Sequence, residues 1–198
     1  MNNSRICELV CTRISHDIVG NIGAVANAVE LLEDDDLDFL GDIKSILKTS
    51  SQTLTARMKF FRLAFGLGNT GLTNNEVVIK TTQDYLHTLG NKDYPITLKM
   101  NVCENNQRSA MLMVMTMADT LIRGGEISVF EQNNQLICNI DNTLKISSDK
   151  LEKIRDVINN AVEADDATMA PLWFLSEQCD NRKISLLQTN DFVRLVME

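Results

Sequence analysis

What the chain lacks narrows it first. No stretch approaches 18 consecutive apolar residues, so nothing in it predicts a transmembrane helix. The N-terminus has no basic start followed by an apolar block, so no secretory leader is expected. Basic residues are outnumbered, 19 Lys and Arg against 27 Asp and Glu, for a net charge of −8. That balance argues against nucleic acid and anionic membrane as partners, since both are polyanions. Cys-x-x-Cys is absent, and the five cysteines, at 7, 11, 103, 138 and 179, are an odd number. Cys7 and Cys11 lie one helical turn apart, but a single nearby histidine is a thin ligand set, so no metal site is expected. Reduced, mostly buried cysteines in a soluble, unprocessed cytoplasmic protein fit better. At 44% hydrophobic, 198 residues suit one or two small domains with a real core.

Histidine is also scarce, with two in the chain. One of them, His16, stands in the middle of a long helical pattern, directly before Asp17. With Ile14 and Ile18 as the centre of the apolar stripe, His16 points about 180° away from it at 100° per residue. It is either an ordinary solvated histidine or a group placed to exchange something with a visitor. Neutral imidazole is well suited to carry a phosphoryl group. The other, His87, is near Tyr85 and Asp84 and reads as structural or exposed.

The same helix has two kinds of face. Cys7, Cys11, Ile14, Ile18, Val25 and Leu32 follow a heptad-like seam. Thr12, His16, Gly20, Gly23 and Asn27 recur at three- and four-residue steps and form a strip of small residues. Each glycine inside a helix costs about 1 kcal/mol relative to alanine, so a close approach by another backbone should offset it. That backbone is either a neighbouring helix of the protein or a docking partner.

Arg13 to Leu32, RISHDIVGNIGAVANAVELL, resembles the histidine-box helix of bacterial ChpT-type histidine phosphotransferases. His16, Asp17, Gly20, Ile22, Gly23, Ala24, Asn27, Glu30, Leu31 and Leu32 fall on matching positions. Asn21 departs from the pattern, where the family has proline, which would kink the helix. The resemblance implies His16 as phosphoacceptor and Asp17 as the residue that orients it or positions the partner. Helical spacing around His16 makes Arg13, Thr12, Val19, Gly20, Gly23 and Asn27 the expected partner-binding surface, with an ordinary exposed arginine as the alternative for Arg13.

Helix one is expected over about 3–33, a break at Asp34-Asp35-Asp36, and helix two over about 37–67, stopped by Gly66, Gly68, Asn69 and Gly71. Two such amphipathic helices cannot cover each other's apolar surface alone. A second copy, giving a four-helix bundle in a homodimer, or the rest of the chain must do so. Beyond residue 75 helix and strand alternate: helices over about 76–89, 106–123, 147–161 and 168–179, and strands over about 96–102, 126–131, 135–140, 183–188 and 192–197. Trp173 and Phe174 read as core anchors. The expected fold class is α+β. A dimerisation and phosphotransfer hairpin (1–70) precedes a region (75–198) whose element order resembles the Bergerat-type α/β sandwich of histidine kinase ATPase domains.

A kinase domain needs an asparagine and acids on its first nucleotide-binding helix to hold magnesium. Met111 to Ile122 has no asparagine, and its one acid is Asp119. It also needs an aspartate followed by glycines, and Asn139-Ile140-Asp141-Asn142-Thr143 has no glycine. No Gly-rich phosphate loop occurs between Ile146 and Pro171. The methionines at 111, 113, 115 and 117 read as core filling. The resemblance therefore implies a degenerate ATPase-like domain used for docking.

Taken together, these features predict a phosphotransferase that relays a phosphoryl group between receiver aspartates through His16. The upstream partner would be the receiver of a hybrid histidine kinase and the downstream partners response-regulator receivers. No cofactor is expected to be held stably, and the receiver would supply Mg2+. An ATP-dependent histidine kinase core and a non-catalytic adaptor are the alternatives.

Overall fold

The computed structural model describes residues 3–33, 39–66, 74–162, 165–179 and 182–198. The acidic break at 34–36 and the glycines at 68 and 71 lie outside them. Helix α1 (Asn3–Glu33) is uninterrupted, so Asn21 leaves no break where the family has proline. Helix α2 (Leu40–Phe65) packs along it as the second arm of a hairpin.

α1 buries only part of the seam expected from its heptads: Ile14 and Ile18 are half-buried against the core, but the seam is open at its two ends. Ile6, Leu9, Val10, Arg13 and Ala28 are buried, whereas Cys7 and Cys11 are exposed. Apolar residues lie on two sides of this helix, and near its start the side turned inward is one residue out of step with the predicted seam. Cys103 is exposed too, so only Cys138 and Cys179 match the expectation of buried cysteines.

Helix α3 (Asn75–His87) starts at Asn74, whose side chain accepts from the Glu76 and Val77 N–H groups. After β1 (Ile96–Asn101) comes α4 (Gln107–Ala118), in which every side chain from Ala110 to Ala118 is buried. It ends well before residue 123, where periodicity had placed its end, because the chain must turn there. Gly124 adopts φ +64 against the Tyr94–Pro95 backbone, which a Cβ would meet at 2.5–2.7 Å. Strands β2 (Gly125–Gln132) and β3 (Gln135–Asp141) form a hairpin around Asn133 and Asn134, both at positive φ as the tight hairpin turn demands. Helices α5 (Ser148–Ile158) and α6 (Ala170–Gln178) follow, then β4 (Ile184–Gln188) and β5 (Phe192–Met197).

The sheet order is β1-β2-β3-β5-β4, with β1 and β2 parallel and the other pairs antiparallel. Leu136, Cys138 and Ile140 of central β3 are fully buried under the helices. Asn139, on the other face, accepts from Arg194 Nε at 2.8 Å, and the Arg194 guanidinium lies 4.0 Å over the Phe192 ring.

The hairpin and the α/β region share one hydrophobic core. It runs from Ile6, Leu9 and Val10 through Phe60, Phe61 and Leu63 to the methionines of α4 and the strands. Phe60 stacks on Tyr85 at 4.0 Å, and Phe65 meets Phe174 edge-on at 5.2 Å. The second region thus covers one part of the hairpin. The rest keeps large apolar side chains in the open: Ile22, Val29, Leu31 and Leu32 on α1, Ile46 and Met58 on α2, and Phe39 before it.

Candidate functional site

His16 projects from α1 with 85% of its side chain exposed, on the outward side expected from its spacing to Ile14 and Ile18. Its Nδ1 lies 3.5 Å from Asp17 Oδ1, the outer limit of a hydrogen bond. Nε2 is the nitrogen left for a visiting group.

Asp17 is not a surface carboxylate. Its side chain is 12% exposed, and Oδ2 accepts from Arg13 Nε at 2.9 Å. Arg13, expected to reach a partner, is turned inward instead, at 5% exposure. Its two terminal nitrogens grip the Asp119 carboxylate at 2.5 and 3.0 Å, and Nη1 also donates to the Thr168 carbonyl at 3.2 Å. A buried guanidinium needs such partners, and the planar fork matches a carboxylate edge-on. Burial works against the Arg13 charge, but hydrogen bonding and attraction to Asp119 more than reverse it and hold the guanidinium protonated above its ordinary range. Burial also pushes the Asp119 carboxyl up, with Arg13 and then Lys150 pulling against it. Lys150 Nζ donates to the Asp119 carbonyl.

Arg57 on α2 closes the other side. It donates to the Asp17 carbonyl, to Thr88 Oγ1 at 3.1 Å and to the Thr88 carbonyl at 3.3 Å. One side chain thereby ties α1, α2 and the end of α3 together beside His16. Tyr85, fully buried, has no hydrogen-bond partner for its hydroxyl among the described residues. Burial first, then the Asp119 charge, raises that hydroxyl well above the ordinary tyrosine range.

Thr12, Val19, Gly20, Gly23 and Asn27 all lie on the exposed side of α1 with His16. A Cβ built on Gly20 or Gly23 meets nothing within 4 Å among the described residues. Among the described residues, therefore, no neighbouring helix fills the strip. Val19 is 61% exposed beside it. The structure brings His16, Asp17 and Arg13 into one connected group and leaves the other five as an open surface. Asp119, Arg57 and Thr168 belong to the group and were missed as site residues. Only Asp119 had drawn notice, as a leftover acid on the nucleotide-helix segment.

That segment now has an explanation. The side chains of α4 fill the core, and Asp119 is engaged by Arg13. Asp141 accepts from Asn139 Nδ2 at 3.0 Å. No group of three His, Cys, Asp or Glu that could hold a metal ion occurs among the described residues. No described helix is long and apolar enough to cross a membrane. His87 is exposed, and Trp173 is buried beside the half-buried Phe174.

No family model matches the chain. A protein phosphotransferase ChpT from Brucella abortus (strain 2308) is 43% identical over 58 residues, which is 29% of this chain and 27% of that protein. The matched segment thus spans about a quarter of that relative. A solved bacterial phosphotransferase superposes on 100% of this chain and 98% of its own, with TM-score 0.77 and 23% identity. The Acinetobacter baumannii histidine kinase AdeS aligns only loosely, at TM-score 0.41 and 8% identity over 92% of this chain and 95% of its own. By sequence over its matched segment this chain resembles the ChpT-type phosphotransferases, and over its whole length it has the fold of a bacterial phosphotransferase.

Proposed function

We propose that this protein is a histidine phosphotransferase of a bacterial phosphorelay, working in the cytoplasm. The observation that carries the reading is an open imidazole on a rigid helix, with Nδ1 turned to a fixed carboxylate and a smooth strip of small residues alongside. A phosphorylated receiver from a hybrid histidine kinase docks on Thr12, Val19, Gly20, Gly23 and Asn27. His16 Nε2 attacks the acyl phosphate in line. The N–P bond forms as the O–P bond breaks, and the electron pair leaves with the receiver's carboxylate. The phosphohistidine then passes its group to the aspartate of a response-regulator receiver. Positioning carries most of the rate, and the receiver brings the Mg2+ that neutralises charge on the phosphoryl oxygens.

Residues 1–70 act as the phosphotransfer and dimerisation hairpin, and 75–198 as a degenerate ATPase-like domain. The exposed Ile22, Val29, Leu32, Ile46 and Met58 support a homodimer with a four-helix bundle. An apolar groove of 650 Å³ lined by Ile14, Leu54, Met58, Phe61 and Phe65 continues that surface.

The test is radiolabel transfer from a panel of phosphorylated receivers. Wild type should take up label without ATP, and His16→Gln should take up none while its oligomeric state is unchanged. Labelling that needs ATP, or that survives in His16→Gln, would overturn the proposal.

A further inference from the structure

We infer that Asp119 and Arg13 are positioning residues for His16, so that the second region of the fold sets the geometry of phosphotransfer although it lies outside the reacting atoms. The inference rests on the phosphotransfer reading above and extends it to a residue 103 positions away in the chain. Adjacent residues of a helix do not face one another, so Asp17 left alone would have no reason to keep an oxygen on the His16 ring. Here the carboxylate is not left alone. Arg13 holds Oδ2 at 2.9 Å, which leaves Oδ1 as the atom nearest Nδ1. Arg13 itself has little freedom, because Asp119 takes both terminal nitrogens and the Thr168 carbonyl takes one of them again. Lys150 fixes the backbone of Asp119 in turn. The chain of contacts therefore runs from the end of α4, through a buried guanidinium, to the imidazole.

The consequence is chemical. A carboxylate beside Nδ1 stabilises the tautomer with its proton on Nδ1, which puts the lone pair on Nε2, where a phosphoryl group can arrive. On transfer the ring gains the phosphoryl at Nε2 and keeps its Nδ1 proton. The resulting positive ring faces the Asp17 carboxylate. Without Asp119, Arg13 could swing and Asp17 would lose its fixed orientation.

Two readouts test this. Nitrogen NMR of histidine-labelled protein reports the His16 tautomer, and phosphoramidate, a small phosphoryl donor, reports the reactivity of the imidazole with no receiver to dock. The Nδ1–H form should dominate in wild type. Asp17→Asn and Asp119→Asn should each shift the ring toward the other tautomer and slow labelling about tenfold, as loss of an outer partner behind a functional histidine does. The double variant should be no slower than Asp17→Asn, since both act on one contact. Circular dichroism checks folding, and if Asp119→Asn is unfolded, Arg13→Lys, which keeps the charge and loses the fork, takes its place. An Nε2–H ring in wild type, an unchanged tautomer and rate in folded Asp119→Asn, or losses that multiply in the double variant would each overturn the inference. If wild type reacts with phosphoramidate at His16 but with no phosphorylated receiver, it is the relay function that fails and not the positioning.

Discussion

Replacing Gly20 and Gly23 should make the protein more stable and a worse partner at once. Both glycines lie inside α1, and a Cβ on either meets nothing within 4 Å among the described residues. With no steric penalty, the helix propensity difference remains, about 1 kcal/mol for each Gly→Ala change. Gly20→Ala with Gly23→Ala should therefore add about 2 kcal/mol and raise Tm by about 4–8 °C for a chain of this size. Gly20→Leu should gain nearly as much helix stability as alanine, yet it places a branched side chain one turn, about 6 Å, from His16. In-line transfer needs reacting atoms about 3–3.5 Å apart, and a misplacement of about 1 Å costs on the order of a hundredfold. Transfer from a phosphorylated receiver should fall by that order in Gly20→Leu, while labelling by phosphoramidate stays at the wild-type rate. Thermal melts and paired labelling time courses measure both. A Tm that falls, or dissociation on sedimentation, would show that another copy packs on the glycines. Receiver transfer at the wild-type rate would show that the docking surface lies elsewhere.

Further expectations concern the remainder of the molecule. Sedimentation should show a dimer at micromolar concentration, and Val29→Glu with Ile46→Glu should give a monomer; a wild-type monomer refutes the bundle. Arg13→Met, which strands the buried Asp119 carboxylate, should cost about 3–5 kcal/mol in urea unfolding, and adding Asp119→Leu should recover most of it; equal losses in both variants would count against a paired contribution. Calorimetry should find no ATP binding with magnesium, and micromolar affinity would restore the kinase reading. The Glu131 carboxyl is held below its ordinary range by hydrogen bonds from the Asn106 side chain and the Cys103 backbone N–H. Because its folded value is the lower one, this stabilisation is complete above the ordinary glutamate range and is lost as pH falls through the depressed value. An NMR titration of the Cys103 amide should show that low midpoint, and a midpoint at or above the ordinary value contradicts it.

The element order was legible because it follows from local rules. Periodicity gave the helices, alternation gave β1, and Asn133-Asn134 marked the β2–β3 turn. The face carrying His16 was legible for the same reason, since 100° per residue needs no knowledge of the fold. Arg13 was not. Its spacing to His16 reads the same whether it meets solvent or a carboxylate, and Asp119 lies 106 residues on. The buried side of α1 was misjudged near its start because Cys7 and Cys11 are as apolar as Ile6, Leu9 and Val10. Periodicity reports that two faces are apolar, and only packing decides which of them turns to the core. The end of α4 escaped for a related reason: Thr120, Leu121 and Ile122 suit a helix, but Gly124 must clear Pro95.

The grip of Arg57 on the Asp17 carbonyl bears on the one conspicuous departure from the family pattern. Inside a helix that carbonyl is the partner of the N–H four residues on, which belongs to Asn21. Proline at 21, as the family has it, would remove that N–H. In this chain the guanidinium of Arg57 already serves the same oxygen. The carbonyl beside the phosphoacceptor thus has a spare donor, supplied from the opposite arm of the hairpin and anchored in turn at Thr88. Loss of the N–H at residue 21 would therefore not strand that oxygen next to His16, although a proline ring there would still crowd it and bend the helix.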